Sequence, residues 1–279
     1  MAEAQRRERR VPQARQAVVV RGERITPGMQ RVVLGGPGLE GFAAGRWTDH
    51  YIKLHFPREG VSYPEPFDVA RIREELPREQ WPVTRTYTVR AWDAEAGELT
   101  VDFVVHGTAG IAGPWAAAAK PGEVIHLSGP GGGYAPAPEA AWHLLAGDEA
   151  ALPAISAALE QMPEGAVVRA LVEVSGPEEE QDGLPGVRWI HRGDRKVGEA
   201  LVEAVLSMDR PDGVPHAFVH GEAGFVRDLR RWLRQDLSVP RELLSISGYW
   251  RLGHDEDGWQ AGKAAWNAAV ETEQEGAAS

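Results

Sequence analysis

The sequence predicts a two-domain α+β protein, a six-stranded antiparallel β-barrel followed by an α/β domain with a parallel sheet, and three observations predict it. From Ala17 to about Pro130 the apolar pattern is mostly of strand type, with Gly/Pro-rich joints between the segments. After the turn-rich run from Gly129 to Pro138, strands alternate with helical stretches. The 279 residues, 43% hydrophobic and 25% charged, suffice for two cores at roughly 150 residues per domain.

In the first half the strand-like segments are 17–21, 31–34, 51–56, 86–92, 99–106 and 124–128. Six short antiparallel strands favour a closed barrel, because closure removes exposed edges. Two insertions interrupt it: a short helical piece over 113–120 around Pro114, and a long excursion over 58–83 with a charged helical stretch at 68–75. In the second half strand-like 142–146 feeds a helix in which Ile155, Ala158, Leu159 and Met162 keep the i, i+3, i+4, i+7 spacing. Strand-like 167–174, 187–191, 217–220 and 244–247 then alternate with helices at 198–206 and 225–237, the signature of a parallel sheet covered on both faces. This reading divides the chain into a disordered arm over 1–16, a barrel domain over 17–137, an α/β domain over 138–254 and a partly helical tail over 255–279. In the tail, Trp259 and Trp266 at i, i+7 form an apolar stripe suited to docking on the body.

Composition removes several functions. With 30 Lys+Arg against 41 Asp+Glu, the net charge of -11 repels a nucleic-acid backbone on average, so no nucleic-acid partner is expected. The chain has no cysteine, which excludes disulfides, thiolate zinc sites, cysteine nucleophiles and thiolate-bound iron-sulfur clusters. Redox chemistry would therefore need a bound organic cofactor or a non-thiolate metal. No segment approaches the roughly 20 apolar residues of a membrane span or the pattern of a signal peptide, so a cytoplasmic protein without membrane insertion is expected. Arg6, Arg7, Arg9 and Arg10 read as a solvated tail. His216 and His220 are four apart, but in strand-like sequence, and no metal site is expected from them.

Chemistry gathers in two places. In Arg85-Thr86-Tyr87-Thr88, period two puts Arg85 and Tyr87 on one face, a phosphate-seeking fork beside a flat ring. That pair suits a cofactor with a pyrophosphate and a planar aromatic system, although a surface arginine and an interface tyrosine would read the same way. Downstream, the strand through Asp102 and Phe103 ends at His106, and the small residues before Pro114 and Trp115, Ala112 and Gly113 among them, open a helix whose N-terminal amides attract anions. In the second half, Gly147-Asp148-Glu149 forms the first strand-to-helix turn, without a GxGxxG fingerprint, and the two acids read as helix caps or ribose ligands. Arg192, just after the third strand of this half, reads as a surface arginine or, if a 2'-phosphorylated dinucleotide binds here, as the ligand of that phosphate.

Taken together, Arg85 to Arg90, Asp102 to Ala116, Lys120-Pro121-Gly122-Glu123, Ser128 to Gly132 and Gly248-Tyr249-Trp250-Arg251-Leu252-Gly253 resemble the motifs of the siderophore-interacting flavin reductases, relatives of ferredoxin-NADP reductase. The likeness covers roughly 17–254. It implies a Greek-key barrel binding FAD, an α/β domain receiving NADPH or NADH, and a ferric siderophore as electron acceptor, in a chain expected to act as a monomer. By family position Arg85, Tyr87 and Thr88 would hold the flavin pyrophosphate, ring and ring edge. Thr86, Asp102, Phe103, His106, Ala112, Gly113 and Trp115 would complete that site, and Gly147, Asp148, Glu149 and Arg192 would face the nicotinamide dinucleotide. Strand parity sets Thr88 opposite to Arg85 and Tyr87, so local twist or backbone must bring it to the ring. Tyr249 and Trp250 follow the last strand of the α/β domain, where parallel strands meet their ligands, and could gate the flavin face. Lys53 and Arg251 are the candidate cations for an anionic chelate, with the excursion over 58–83 bordering the acceptor site. The rivals are an NAD(P)H:flavin or ferredoxin reductase and a non-catalytic siderophore carrier.

Overall fold

The structure, a computed structural model, describes residues 14–275, so nearly all of the expected N-terminal arm, its arginine cluster included, lies outside the described residues. The antiparallel domain contains β1 (Arg15–Thr26), β2 (Met29–Gly35), β3 (Tyr51–Phe56), α1 (Val69–Glu75), β4 (Val83–Thr88), β5 (Ala91–Asp93), β6 (Glu98–Val104), α2 (Ala112–Ala118) and β7 (Val124–Gly131). β1 begins at Arg15, within the stretch assigned to the arm, because Arg15 and Gln16 pair with Leu127 and His126 of β7.

The sheet has seven strands, in the order β4-β3-β7-β1-β2-β6-β5, where six are expected. The difference lies in 86–92, which alternates like one strand but changes partners halfway. Val89 N–H donates to His50 O at 2.7 Å, on the β3 side, and Arg90 N–H donates to Thr100 O at 2.9 Å, in β6. Two successive residues thus carry the chain from one end of the strand order to the other and bring β4 close to β6, so that the sheet curves round as a barrel. Its core holds Val19, Val32, Leu34, Ile52, Leu54, Phe56, Val101, Phe103 and Leu127. The excursion builds a satellite core from Phe67, Val69 and Ile72, with Asp68 capping α1, and Phe67 stacks on His126 of β7 at 4.1 Å.

The second domain runs β8 (Trp142–Gly147), α3 (Leu152–Glu160), β9 (Val168–Val174), β10 (Val187–His191), α4 (Glu199–Leu206), β11 (Pro215–Glu222), α5 (Ala223–Arg231) and β12 (Leu244–Trp250). Its five strands are all parallel, in the order β10-β9-β8-β11-β12. Period two sends Leu144, Ala146, Ala217 and Val219 to one core and Leu145, Phe218 and Val172 to the other, so both faces are covered. α5 runs on into a π-helical turn, Trp232–Asp236.

α6 (Glu256–Glu275) then lies along the outside of β12. Trp259 is 1% exposed and meets Trp266 edge-on at 5.3 Å, as the stripe leads one to expect. Gly248 of β12 makes the docking possible, since a Cβ there would stand 3.0 Å from Trp259 and 3.1 Å from Ala223. At the far end Arg227 pairs with Glu273, and Arg230 and Arg234 with Glu275.

Candidate functional site

The barrel side of the site is β4. Arg85 pairs across the sheet with Leu54 and Tyr87 with Ile52, so both share the face of the barrel core, while Thr86 and Thr88 share the outer face with Lys53 and Tyr51. Tyr87 packs against Phe103 at 4.3 Å, and Phe103 against Trp115 at 5.6 Å. Arg85 is largely buried, and its terminal nitrogens fork onto the Asp257 carboxylate at 2.9 and 3.2 Å. Its Nε lies 3.2 Å from Glu256, whose other oxygen accepts the Thr86 N–H at 3.4 Å. Burial raises the Glu256 carboxyl above its ordinary range, against the opposing pull of Arg85. Guanidinium and amide thus already gather anions, the donor set that a pyrophosphate needs.

Several expectations change on this side. Asp102 points away from Phe103, each of its oxygens accepts from Arg31 directly across β2, at 2.7 and 2.8 Å, and its side chain is 1% exposed, so it braces the sheet and is shut away from a ligand. Phe103 is 0% exposed and has no surface for a ligand to touch; it backs Tyr87. α2 is seven residues long and no side chain caps it, so its dipole adds little beside the full charge of Arg85. Ala112 and Gly113 are buried in its first turn, and Trp115 is half-buried. His106 is exposed in the preceding turn.

The second side of the site is the carboxyl edge of the parallel sheet. The strand order reverses between β8 and β11, so Gly147 at the end of β8 and His220 near the end of β11 flank the crevice where such sheets take ligands. A Cβ on Gly147 would come within 2.6 Å of His220 O, so only glycine closes this crevice. Asp148 is 0% exposed and accepts from Ala150 N–H at 3.0 Å, Glu222 N–H at 2.8 Å and the Trp250 indole N–H at 2.8 Å. Burial, with Glu149 alongside, pushes its carboxyl up to about 7, although those hydrogen bonds oppose the shift. Asp148 is therefore neither a surface ribose ligand nor merely a local cap; it ties the ends of β8, β11 and β12 together. Arg192, the 2'-phosphate candidate, is already paired with Glu149 at 3.2 Å and Glu173 at 3.4 Å. Glu173 is fully buried and caps α4 through the N–H groups of Gly198 and Leu201.

The two sides meet at Tyr249. Its ring packs on His220 at 4.8 Å, and its buried phenol lies beside Thr88 of the barrel. Burial, with Asp49 and Asp148 nearby, holds that phenol protonated well above its ordinary range. The structure thus joins Thr88, Tyr249, Trp250 and Asp148 in one chain of contacts. Lys53 stands exposed on the outer face of β3, and Arg251 is half-buried just after β12. Sequence reasoning missed Glu256, Asp257, Arg31 and Glu173; each is an acid or base whose partner lies on another element of the fold, and no local pattern marks it.

Comparisons agree with this architecture. Residues 18–134 match the family described as Siderophore-interacting FAD-binding domain, and residues 140–253 match Siderophore-interacting protein. An uncharacterized protein of Mycobacterium tuberculosis is 45% identical over 86% of this chain and 90% of its own. The ferric vibriobactin reductase ViuB of Vibrio cholerae is 34% identical over 86% of this chain and 90% of its own. The NADPH-dependent ferric-chelate reductase of Escherichia coli is 31% identical over 85% and 92%. Among solved structures, the siderophore-interacting protein SipS of Aeromonas hydrophila superposes with a TM-score of 0.77 at 31% identity, covering 93% of this chain and all of that one. The fold is the two-domain fold of the ferredoxin-reductase type, an antiparallel sheet domain followed by a parallel α/β domain. The chain belongs to the siderophore-interacting protein family. No helix among the described residues is long and apolar enough to cross a membrane.

Proposed function

We propose that this protein binds FAD in the barrel, takes electrons from NADPH or NADH at the carboxyl edge of the parallel sheet, and reduces ferric siderophores. The observation that carries the reading is the anion-gathering pair on β4, the Arg85 guanidinium and the Thr86 amide, set beside the half-buried ring of Tyr87. The names of the Vibrio cholerae and Escherichia coli relatives supply the substrate class and NADPH as the first donor to test. When bound, FAD accepts a hydride from a nicotinamide and releases electrons singly, which a ferric centre requires. Ferrous iron is the softer ion and is held less tightly by hard oxygen ligands, so reduction lets it leave its chelate.

The protein's own part is positioning. Arg85 and Thr86 neutralise the phosphates, and Tyr87, held from behind by Phe103 and Trp115, offers a flat face. Tyr249 abuts Thr88 at the seam, and Asp148 holds Trp250 beside it, so the two aromatic residues can screen the nicotinamide approach from water. In this reading Ala112 and Gly113 line the flavin side, with His106 at its margin. Gly147 and Glu149 line the dinucleotide side, and Arg192 reaches a 2'-phosphate only by giving up Glu149. Lys53 and Arg251 supply local cations that a protein of net charge -11 needs in order to attract an anionic chelate. We place the division between the domains at 137/138 and expect a cytoplasmic monomer.

Arg85→Ala tests the reading. It is expected to weaken FAD affinity about ten- to a hundredfold while the far-UV spectrum and cooperative unfolding persist, since charge-assisted bonds of this kind are worth roughly 1.5–3 kcal/mol. A variant that keeps wild-type FAD affinity rejects this placement of the pyrophosphate. Lys53→Ala is expected to slow reoxidation by an anionic ferric chelate more than by a neutral one; equal effects would remove Lys53 from the acceptor site. A flavin-free preparation that binds ferric siderophore without oxidising NADPH would favour a carrier instead.

A further inference from the structure

The first turn of α6 stands where the proposed cofactor phosphates need to be. Asp257 takes the end-on edge of the Arg85 guanidinium, through both terminal nitrogens, and Glu256 faces its side-on edge at Nε. The nitrogen nearest β4 also donates to Thr84 O at 2.9 Å, and the Thr86 amide is given to Glu256. Neither edge of the fork from which two parallel bonds could reach a phosphate is free. A pyrophosphate cannot join this arrangement, because it would share one guanidinium with two carboxylates of its own charge sign.

We propose that Glu256 and Asp257 are part of the cofactor site: in the flavin-free protein they occupy Arg85, and FAD binds by displacing them. The proposal rests on Arg85 as the phosphate ligand. The contact is built to be exchanged. The Asp257 side chain is 66% exposed and that of Glu256 30%, so both can turn into water without opening a cavity, whereas Arg85 stays 9% exposed and fixed in β4. An ion pair with so exposed a partner adds little stability, so separating it costs little. The rest of α6 need not move. Trp259, two residues beyond Asp257, is pinned against Gly248, and the far end is held by Arg227, Arg230 and Arg234. Only the turn capped by Asp255, whose carboxylate accepts the Gly258 N–H at 2.7 Å, has to yield. α6 joins the two domains at one end through a contact that the cofactor can replace, which couples flavin binding to the tail.

The test is flavin affinity measured on the full chain stripped of flavin, by quenching of flavin fluorescence, with FAD and with riboflavin, which has no phosphate. The double substitution Glu256→Gln, Asp257→Asn is expected to tighten FAD about tenfold and leave riboflavin unchanged, since it removes two competing charges without touching Arg85. If it leaves FAD unchanged or weaker while Arg85→Ala weakens FAD, the acids are not competitors and the proposal is overturned, though the reading of Arg85 stands. If Arg85→Ala leaves the FAD-to-riboflavin affinity ratio as in the wild type, the reading fails and the proposal fails with it. Should the double variant not fold, hydrogen exchange on the unaltered protein decides. Amides of 255–258 are expected to lose protection when FAD is added, and unchanged or greater protection overturns the displacement.

Discussion

Arg85 in the barrel and Arg192 at the edge of the parallel sheet are both mostly buried arginines, and each faces two carboxylates, yet the two are held in opposite ways. The partners of Arg85 come from α6, more than 100 residues away along the chain; Asp257 stands largely in solvent and Glu256 is partly exposed. Those of Arg192 come from within its own domain, and Glu173 is 0% exposed and doubly bonded by the amides that open α4. A charge whose partners are wet can trade them for a ligand, whereas one whose partner is dry and hydrogen-bonded is part of the scaffold. The barrel site is thus arranged for exchange and the sheet edge for permanence.

The comparison is most easily broken at Glu173. Glu173→Ala is expected to cost about 3–5 kcal/mol in urea unfolding, because it leaves Arg192 with one partner and strips the cap from α4. A loss below 1 kcal/mol would make Arg192 as exchangeable as Arg85. Gly248→Ala comes next. With Trp259 and Ala223 both at about 3 Å from the new methyl group, overpacking is expected to cost about 1–3 kcal/mol and to loosen α6. Limited proteolysis within 256–275 would report that loosening.

Acid sharpens the contrast between the domains. Burial, with Arg73, His126 and Lys53 adding repulsion, lowers His55 of the barrel to about 4. Burial, with Lys263 adding repulsion, lowers His220 of the parallel sheet to about 3. Both pKa values fall below the unfolded value of 6.5, so the stability these histidines contribute is present above pH 6.5 and lost as pH falls through their folded values. Asp148 acts the other way: raised to about 7 from 3.8, it contributes stability that is present below 3.8 and lost as pH rises through about 7. In denaturation followed between pH 7 and 4, Asp148→Asn is therefore expected to steepen the loss on acidification, and His220→Gln to relieve it more than His55→Gln. The smallest effect belongs to Asp257→Asn, expected to change unfolding stability by at most about 1 kcal/mol, because the Asp257 side chain is 66% exposed and Glu256 still faces Arg85. A larger change would mean that the α6 contact is structural after all.

Much of this molecule was legible without coordinates. The change from strand-type to alternating strand and helix pattern near Gly129 marks where the antiparallel sheet gives way to the parallel one. Period two alone placed Arg85 with Tyr87 and set Thr88 against them, and the i, i+7 tryptophans marked the docking face of α6. The excursion over 58–83 was legible as an insertion, though not as a small core of its own around Phe67 and Ile72.

The sequence by itself determined what repeats locally: which stretches are strands, which helices, and which face of each is apolar, since those follow from spacings of two and of three to four residues. Only the tertiary structure decided who meets whom. It set Asp102 against Arg31 across 71 residues, Trp250 against Asp148 across 102, and Asp257 against Arg85 across 172. It also turned 86–92 into a crossing between sheet edges rather than one strand. A carboxylate carries no mark in sequence of the cation it will meet, because that encounter depends on how the sheets close and where the last helix lies, and those are properties of the whole chain.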